Sequence, residues 1–195
     1  MTSALGFWAS SKANATGFTS IATVTAAGGE TSFTFSSIPQ TFTDLQIRWI
    51  QRNTDANNPS GSTALIFNND SAANYAAHGL VANQTTVSAY GTSSNSPSYL
   101  VTGWTTNAVS GSTTPANVFA AGIIDISDYT STTKNKTGRA INVWDQNSAS
   151  ASLGVIDVHS AVWLSTAAIT SIKITPSASF AAGTTFALYG IKGFA

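Results

Sequence analysis

Asp44-Leu45-Gln46-Ile47-Arg48-Trp49-Ile50-Gln51-Arg52 is the stretch that decides the fold. Leu45, Ile47 and Trp49 fall on one face at period two, and Gln46, Arg48 and Ile50 fall on the other. Successive side chains of a β-strand point to opposite sides, so this alternation predicts a strand with two different faces. Upstream, Thr31-Ser32-Phe33-Thr34-Phe35 alternates in the same way after a Gly28-Gly29 turn. Pro39 closes that segment, because proline has no donor for a ladder. Thr19 to Thr25 reads as a further strand, with Ile21 and Val24 between small or hydroxyl residues.

Downstream, Asn53 to Ser62 is a polar loop, and Ala64-Leu65-Ile66-Phe67 is a short buried run ended by Asn68-Asn69-Asp70. Weaker patterns predict strands around 76–81, 87–90 and 99–104. Residues 117–126 read as a central strand, Lys134-Asn135-Lys136-Thr137 as a solvated turn, and Arg139 to Trp144 as the next strand. Ser152–Leu164, Ile169–Thr175 and Thr185–Ile191 complete the series. No segment carries a sustained, capped helical stripe. Ten or so strands separated by polar turns predict an all-β fold, an antiparallel, jelly-roll-like β-sandwich. Its expected core holds Phe33, Phe35, Leu45, Ile47, Ile123, Val143, Val162, Ile172 and Phe186. The sandwich is expected to span residues 19–195. Residues 1–18, rich in Ala, Ser and Gly, read as an irregular N-terminal arm, with Phe7-Trp8 isolated in its middle. That pair either caps the sandwich in cis or anchors the arm in a neighbouring subunit, where one aromatic can dominate an interface.

Composition narrows the function. Only 8% of the 195 residues are charged, against roughly 25% in ordinary soluble domains. Hydrophobic residues still reach 43%, and the chain holds 27 Ser and 28 Thr. Its polar surface is therefore built from hydroxyls and amides, which cost less to desolvate than ions and suit packing against other protein. Eight basic residues balance eight acidic ones, so nothing draws the chain to nucleic acid or to an anionic membrane. The chain has no Cys, hence no disulfide framework and no Cys-based zinc site. No run approaches the roughly 18 apolar residues of a spanning helix, and Met1 to Trp8 lacks the charged start and apolar length of a secretory signal.

Residues with chemical potential are few. His78 and His159 are the only histidines. Asp157 and His159 lie two apart on one strand face and could orient an imidazole, but Ser160 points the other way and no Gly-X-Ser-X-Gly elbow exists. A hydrogen-bonded structural pair is the expected reading. Glu30 is the only Glu, so no glycosidase-type carboxylate pair assembles readily. Asp125 with Asp128, or Asn68-Asn69-Asp70, could offer oxygens to calcium, though turn chemistry explains both. Neither an enzyme, a metal nor a cofactor is expected. Tyr90 and Tyr99 flank a Ser/Gly loop, with Trp104 beyond it. These aromatics either fill the core or form a tip that stacks on sugar rings.

Five pieces occur in order: Phe33 to Ile47, Phe67-Asn68-Asn69-Asp70-Ser71-Ala72-Ala73-Asn74-Tyr75, Ile126-Ser127-Asp128-Tyr129 with Lys134-Asn135-Lys136-Thr137, Ala168 to Ile174, and Phe186 to Gly193. From about residue 19 onward this ordered set resembles the small virion structural proteins of tailed bacteriophages. The resemblance implies a β-sandwich particle component without catalytic residues, assembled in the host bacterial cytoplasm. A capsid decoration, or cement, protein is expected first: a homo-oligomer, with a trimer favoured, binding major capsid protein on the outside of the head. A tail-fibre or baseplate component that binds a host glycan is the alternative.

Overall fold

The alternation becomes twelve strands in the computed structural model, which describes residues 17–54, 60–83, 85–92, 100–107, 116–145 and 154–192. They are β1 (Phe18–Thr25), β2 (Phe33–Phe35), β3 (Asp44–Asn53), β4 (Ser60–Phe67), β5 (Tyr75–Asn83) and β6 (Thr86–Thr92). The remainder are β7 (Leu100–Asn107), β8 (Ala120–Ser127), β9 (Lys136–Asp145), β10 (Gly154–Trp163), β11 (Ile172–Pro176) and β12 (Thr185–Ile191). No helix among the described residues is long and apolar enough to cross a membrane.

The strands form two sheets. The larger runs β1-β12-β3-β8-β9-β10-β5-β6, antiparallel at every step. The smaller runs β2-β11-β4-β7, also antiparallel. At one corner the end of β3 turns to pair in parallel with β7, Arg52 opposite Thr106 and Asn53 opposite Asn107, and joins the two layers. The fold is the expected antiparallel all-β sandwich. Its unequal sheets, eight strands against four, do not trace the two four-stranded sheets of a jelly roll.

Between the layers lies one main core. Leu45 and Ile47 of β3, Ile124 of β8 and Leu188 of β12 meet Phe35, Leu65, Phe67 and Ile172 of the smaller sheet. Aromatic rings cross the gap. Phe67 of β4 sits 5.5 Å from Trp163 of β10, and Tyr75 stacks on Trp163 at 6.2 Å. Burying each such side chain contributes about 1.5–3 kcal/mol. The faces of β3 fall as expected: Leu45, Ile47 and Trp49 are buried and Arg48 and Ile50 exposed, although Gln46 on the outer side is also covered.

Three expectations need correction. Val143, placed in the core from its sequence, is 38% exposed, because Trp144 and Asn142 take the inner positions of β9. Ile123 likewise stands opposite Ile141 on the outer side, and its neighbour Ile124 is the buried one. Lys136, expected in a solvated turn, is buried at the start of β9. Phe33 and Val162 are half-buried. The arm, with Phe7 and Trp8, lies outside the described residues, and β1 begins one residue before the expected boundary.

Candidate functional site

In β9 and β10 the usual polarity of a sandwich strand is reversed. Asn142, Asp157 and His159 point inward and are buried, while Ile141, Val143, Ile156 and Val158 point outward. Residues directly opposite each other in a ladder share a face. Pairing therefore continues the outward apolar positions across the sheet. One row runs Ile50–Ala121–Val143–Ile156–Ala82–Val87, from β3 to the edge strand β6. The next runs Ile123–Ile141–Val158–Leu80–Ala89. Exposure is high for side chains of this size: Ile156 56%, Leu80 59%, Val87 73%.

Charges border these rows, and the one that enters them is Arg48, the β3 residue opposite Ile123. On one side Arg139 Nε lies 3.0 Å from Asp125 Oδ2, and Gln46 Nε2 donates to Asp125 Oδ1 at 2.6 Å. Arg48 Nε donates in turn to Gln46 Oε1, with its guanidinium over the rings of Phe18 and Tyr189 at 5.1 and 5.3 Å. That stack sets the guanidinium and two rings at the β1–β12 margin of the outer face, where Phe18 is still exposed. Asp145 marks the opposite end of β9. The uncovered part of the outer face is thus a flat apolar band with a thin polar border.

Beneath the band, on the inner side, sits a buried polar cluster. The Tyr90 hydroxyl donates to Asp157, 3.2 Å from Oδ1 and 3.3 Å from Oδ2. To reach it from β6 the phenol must cross β5, and it does so over Gly79, where a Cβ would lie 2.6 Å from Tyr90 Cε1. Burial, reinforced by the Asp157 charge and hydrogen bond, pushes the Tyr90 phenol up, so it stays protonated and remains a donor. His159 Nδ1 is 3.5 Å from Asp157 Oδ2, a contact too long for a firm hydrogen bond. Among the described residues neither ring nitrogen of His159 has a hydrogen-bond partner. Asp157 and His159 are closed off from solvent. Ser160 points to the outer side, where its hydroxyl faces the His78 carbonyl at 3.5 Å, so the structure does not bring a serine to the imidazole. Asp157 and His159 do lie side by side on the inner face, but without the hydrogen bond expected between them. The partner that holds Asp157 is Tyr90, which sequence reasoning missed.

The other residues singled out by sequence fall as follows. Tyr90 is half-buried and engaged with Asp157; Tyr99 lies outside the described residues; Trp104 is placed by its backbone in β7, opposite Ser62 of β4. Asp125 pairs with Arg139, and Asp128 pairs with Lys134 at 2.7 Å across an exposed turn. Asp70 accepts from Trp163 Nε1 at 2.7 Å, from Asn74 Nδ2 at 3.0 Å and from the Ala72 amide at 3.0 Å. All three carboxylates are held by protein donors in turn or ladder geometry. Among the described residues no group of three His, Asp or Glu side chains could hold a metal ion. The chain matches no protein-family model, no curated protein and no solved structure.

Proposed function

We propose that the chain is a structural protein of a tailed-bacteriophage particle, and within that class a capsid decoration protein that binds assembled major capsid protein. The outward apolar band carries this reading. A rigid sandwich that turns Ile141, Val143, Ile156 and Val158 outward, and keeps ions to the border, has a surface built to be covered by protein. The ordered resemblance of its segments to small virion proteins supplies the particle.

The action is mass action. A protein that binds only the assembled shell stabilises it by RT ln(1 + [L]/Kd) at each site. Repetition over a lattice then turns modest single contacts into a large total. A nearly uncharged surface allows dense packing, since crowded like charges would repel. The tail reading calls on Tyr90, Tyr99 and Trp104 as a sugar platform. The commitment of the Tyr90 hydroxyl to Asp157 argues against that use.

The test is a density map of the intact particle together with heating of heads that lack the protein. The proposal expects density on the head lattice and earlier rupture of the deficient heads. Density confined to the tail, or equal heat resistance, would overturn it.

A further inference from the structure

We infer that the outward band of the larger sheet is covered by a second copy of this chain, packed face to face about a two-fold axis with the strands of the two copies antiparallel. The inference rests on the reading of this chain as an adhesion module; it gives the band to self-pairing, so that contact with the shell falls to the remaining surface of the pair.

Size is the first argument. Six strands about 4.8 Å apart and about eight residues long present roughly 750 Å² of flat face, close to the ~800 Å² that each partner buries in a standard interface. The two apolar rows alone make roughly 400 Å², at the level where exposed patches on monomers are usually functional. The band therefore fits one whole sheet of similar extent better than a single helix or an extended peptide.

Shape is the second. Two sheets of the same twist pack aligned at about 30° and about 10 Å apart, as inside any sandwich. A second copy brings a sheet of identical twist. A face that meets itself closes as a pair, so this geometry favours a dimer, or an even assembly of dimers, over the trimer favoured in the reading from the resemblance.

Charge selects the orientation. The end of the band at Arg48, Asp125 and Arg139 carries two cations and one anion, a net single positive charge, while Asp145 marks the other end of β9. With antiparallel strands the Arg139 end of one copy lies over the Asp145 end of the other. With parallel strands the two Arg139 ends would meet, cation over cation. Between the ends, from β8 to β6, the rows carry no charge that a second copy would have to bury.

The experiment uses the full chain. Sedimentation at about 100 μM is expected to give twice the chain mass, with dissociation on dilution. The double variant Val143→Lys, Leu80→Lys puts two charges at outward positions on strands separated by β10, so they are not a cross-strand pair and cost the folded monomer little. It is expected to weaken self-association by about a hundredfold or more while keeping the wild-type circular dichroism spectrum. Because the chain has no Cys, single-cysteine variants give a second readout. Val158→Cys near the centre of the band is expected to be joined to itself by a short bis-maleimide, and Thr34→Cys on β2 is not. A monomeric wild type, a lysine variant that stays dimeric, or equal cross-linking at both cysteines would overturn the inference. Each outcome is read on isolated protein, so its failure is distinct from a failure to find the chain on the head.

Discussion

Tyr90 and Asp157 are joined across an intervening strand: the phenol on β6 passes over β5 and donates a hydrogen bond to a carboxylate on β10, 3.2 Å away. Among the described residues Tyr90 is the donor that satisfies this buried carboxylate. Tyr90→Phe keeps the ring and removes the proton, and leaving a buried charge unpaired costs about 2–3 kcal/mol. Chemical denaturation should show that loss. A variant within about 0.5 kcal/mol of wild type would mean the bond contributes nothing.

Gly79 makes that crossing possible, which yields a coupled prediction. Gly79→Ala puts a Cβ against the Tyr90 ring and should destabilise by about 2 kcal/mol as the ring moves off Asp157. In a Tyr90→Ala background the ring atoms that this Cβ would strike are gone, and most of its cost should vanish. A double-mutant cycle on unfolding free energy reads the difference. Additive costs would show that the glycine is needed for something other than the passage of the phenol.

The sandwich itself was legible because alternation is local. Asp44 to Arg52 carries its two faces in plain sight, and the structure keeps Leu45, Ile47 and Trp49 inside. Phase was not legible in β8 and β9. Ile123-Ile124 and Val143-Trp144 are apolar on both sides, so nothing local says which member faces the core, and a one-residue error exchanges the faces. The same doubling hid the outward band, which appears only once six strands are paired in register. Asp157 and His159 announced themselves by spacing two apart, whereas Tyr90 is 67 positions from Asp157 and becomes a neighbour only through β5. Lys136 misled for a compositional reason: Lys-Asn-Lys resembles a wet turn, and the carbonyls that enclose the second lysine come from two separate segments.

Asp70 should shape the acid limb of stability. Burial pushes its carboxyl up, but hydrogen bonds from Asn74, Trp163 and the Ala72 amide together outweigh that and hold it below the usual value of 3.8. A carboxylate whose folded pKa is lowered contributes stability that is complete above the unfolded pKa and lost as pH falls through the folded one. Unfolding measured from about pH 7 down to about pH 2 should therefore steepen below about pH 4 in the wild type. Asp70→Asn, which keeps the shape but not the charge, should be less stable at neutral pH and flatter in acid. An unchanged acid limb would show that this group does not govern it.

Asn68 is held by both its backbone and its side chain. Its φ of 51° lies in the left-handed region, which asparagine tolerates better than most residues. Its Oδ1 accepts from the amides of Thr170 at 2.9 Å and Ser171 at 3.1 Å, and its Nδ2 donates to the Ala168 carbonyl at 2.8 Å. Asn68→Gly relieves the backbone and loses the bonds; Asn68→Ala loses the bonds and adds strain. The alanine variant should be less stable than the glycine variant by about 1 kcal/mol, with both below wild type. Equal stabilities would assign the whole effect to the side chain, and a wild-type-like glycine variant would assign it to the backbone.

Lys136 offers the sharpest contrast between two neighbouring lysines. Its ammonium donates to the carbonyls of Ser131 at 2.7 Å, Lys134 at 2.8 Å and Thr166 at 3.2 Å, tying the turn after β8 to the segment after β10. Burial pulls its pKa down, and the charge of Asp128 pulls it partly back. Lys136→Met keeps the aliphatic stem and strands these carbonyls, so a loss of about 2–4 kcal/mol is expected. Lys136→Arg should also lose stability, because a planar fork does not match three carbonyls gathered around a point charge. Lys134, two residues earlier, makes an exposed pair with Asp128, and Lys134→Met should leave the denaturation midpoint nearly unchanged. If the two methionine variants unfold at the same denaturant concentration, the carbonyl cage around Lys136 has no energetic role, and the turn it closes is held by the ladders alone.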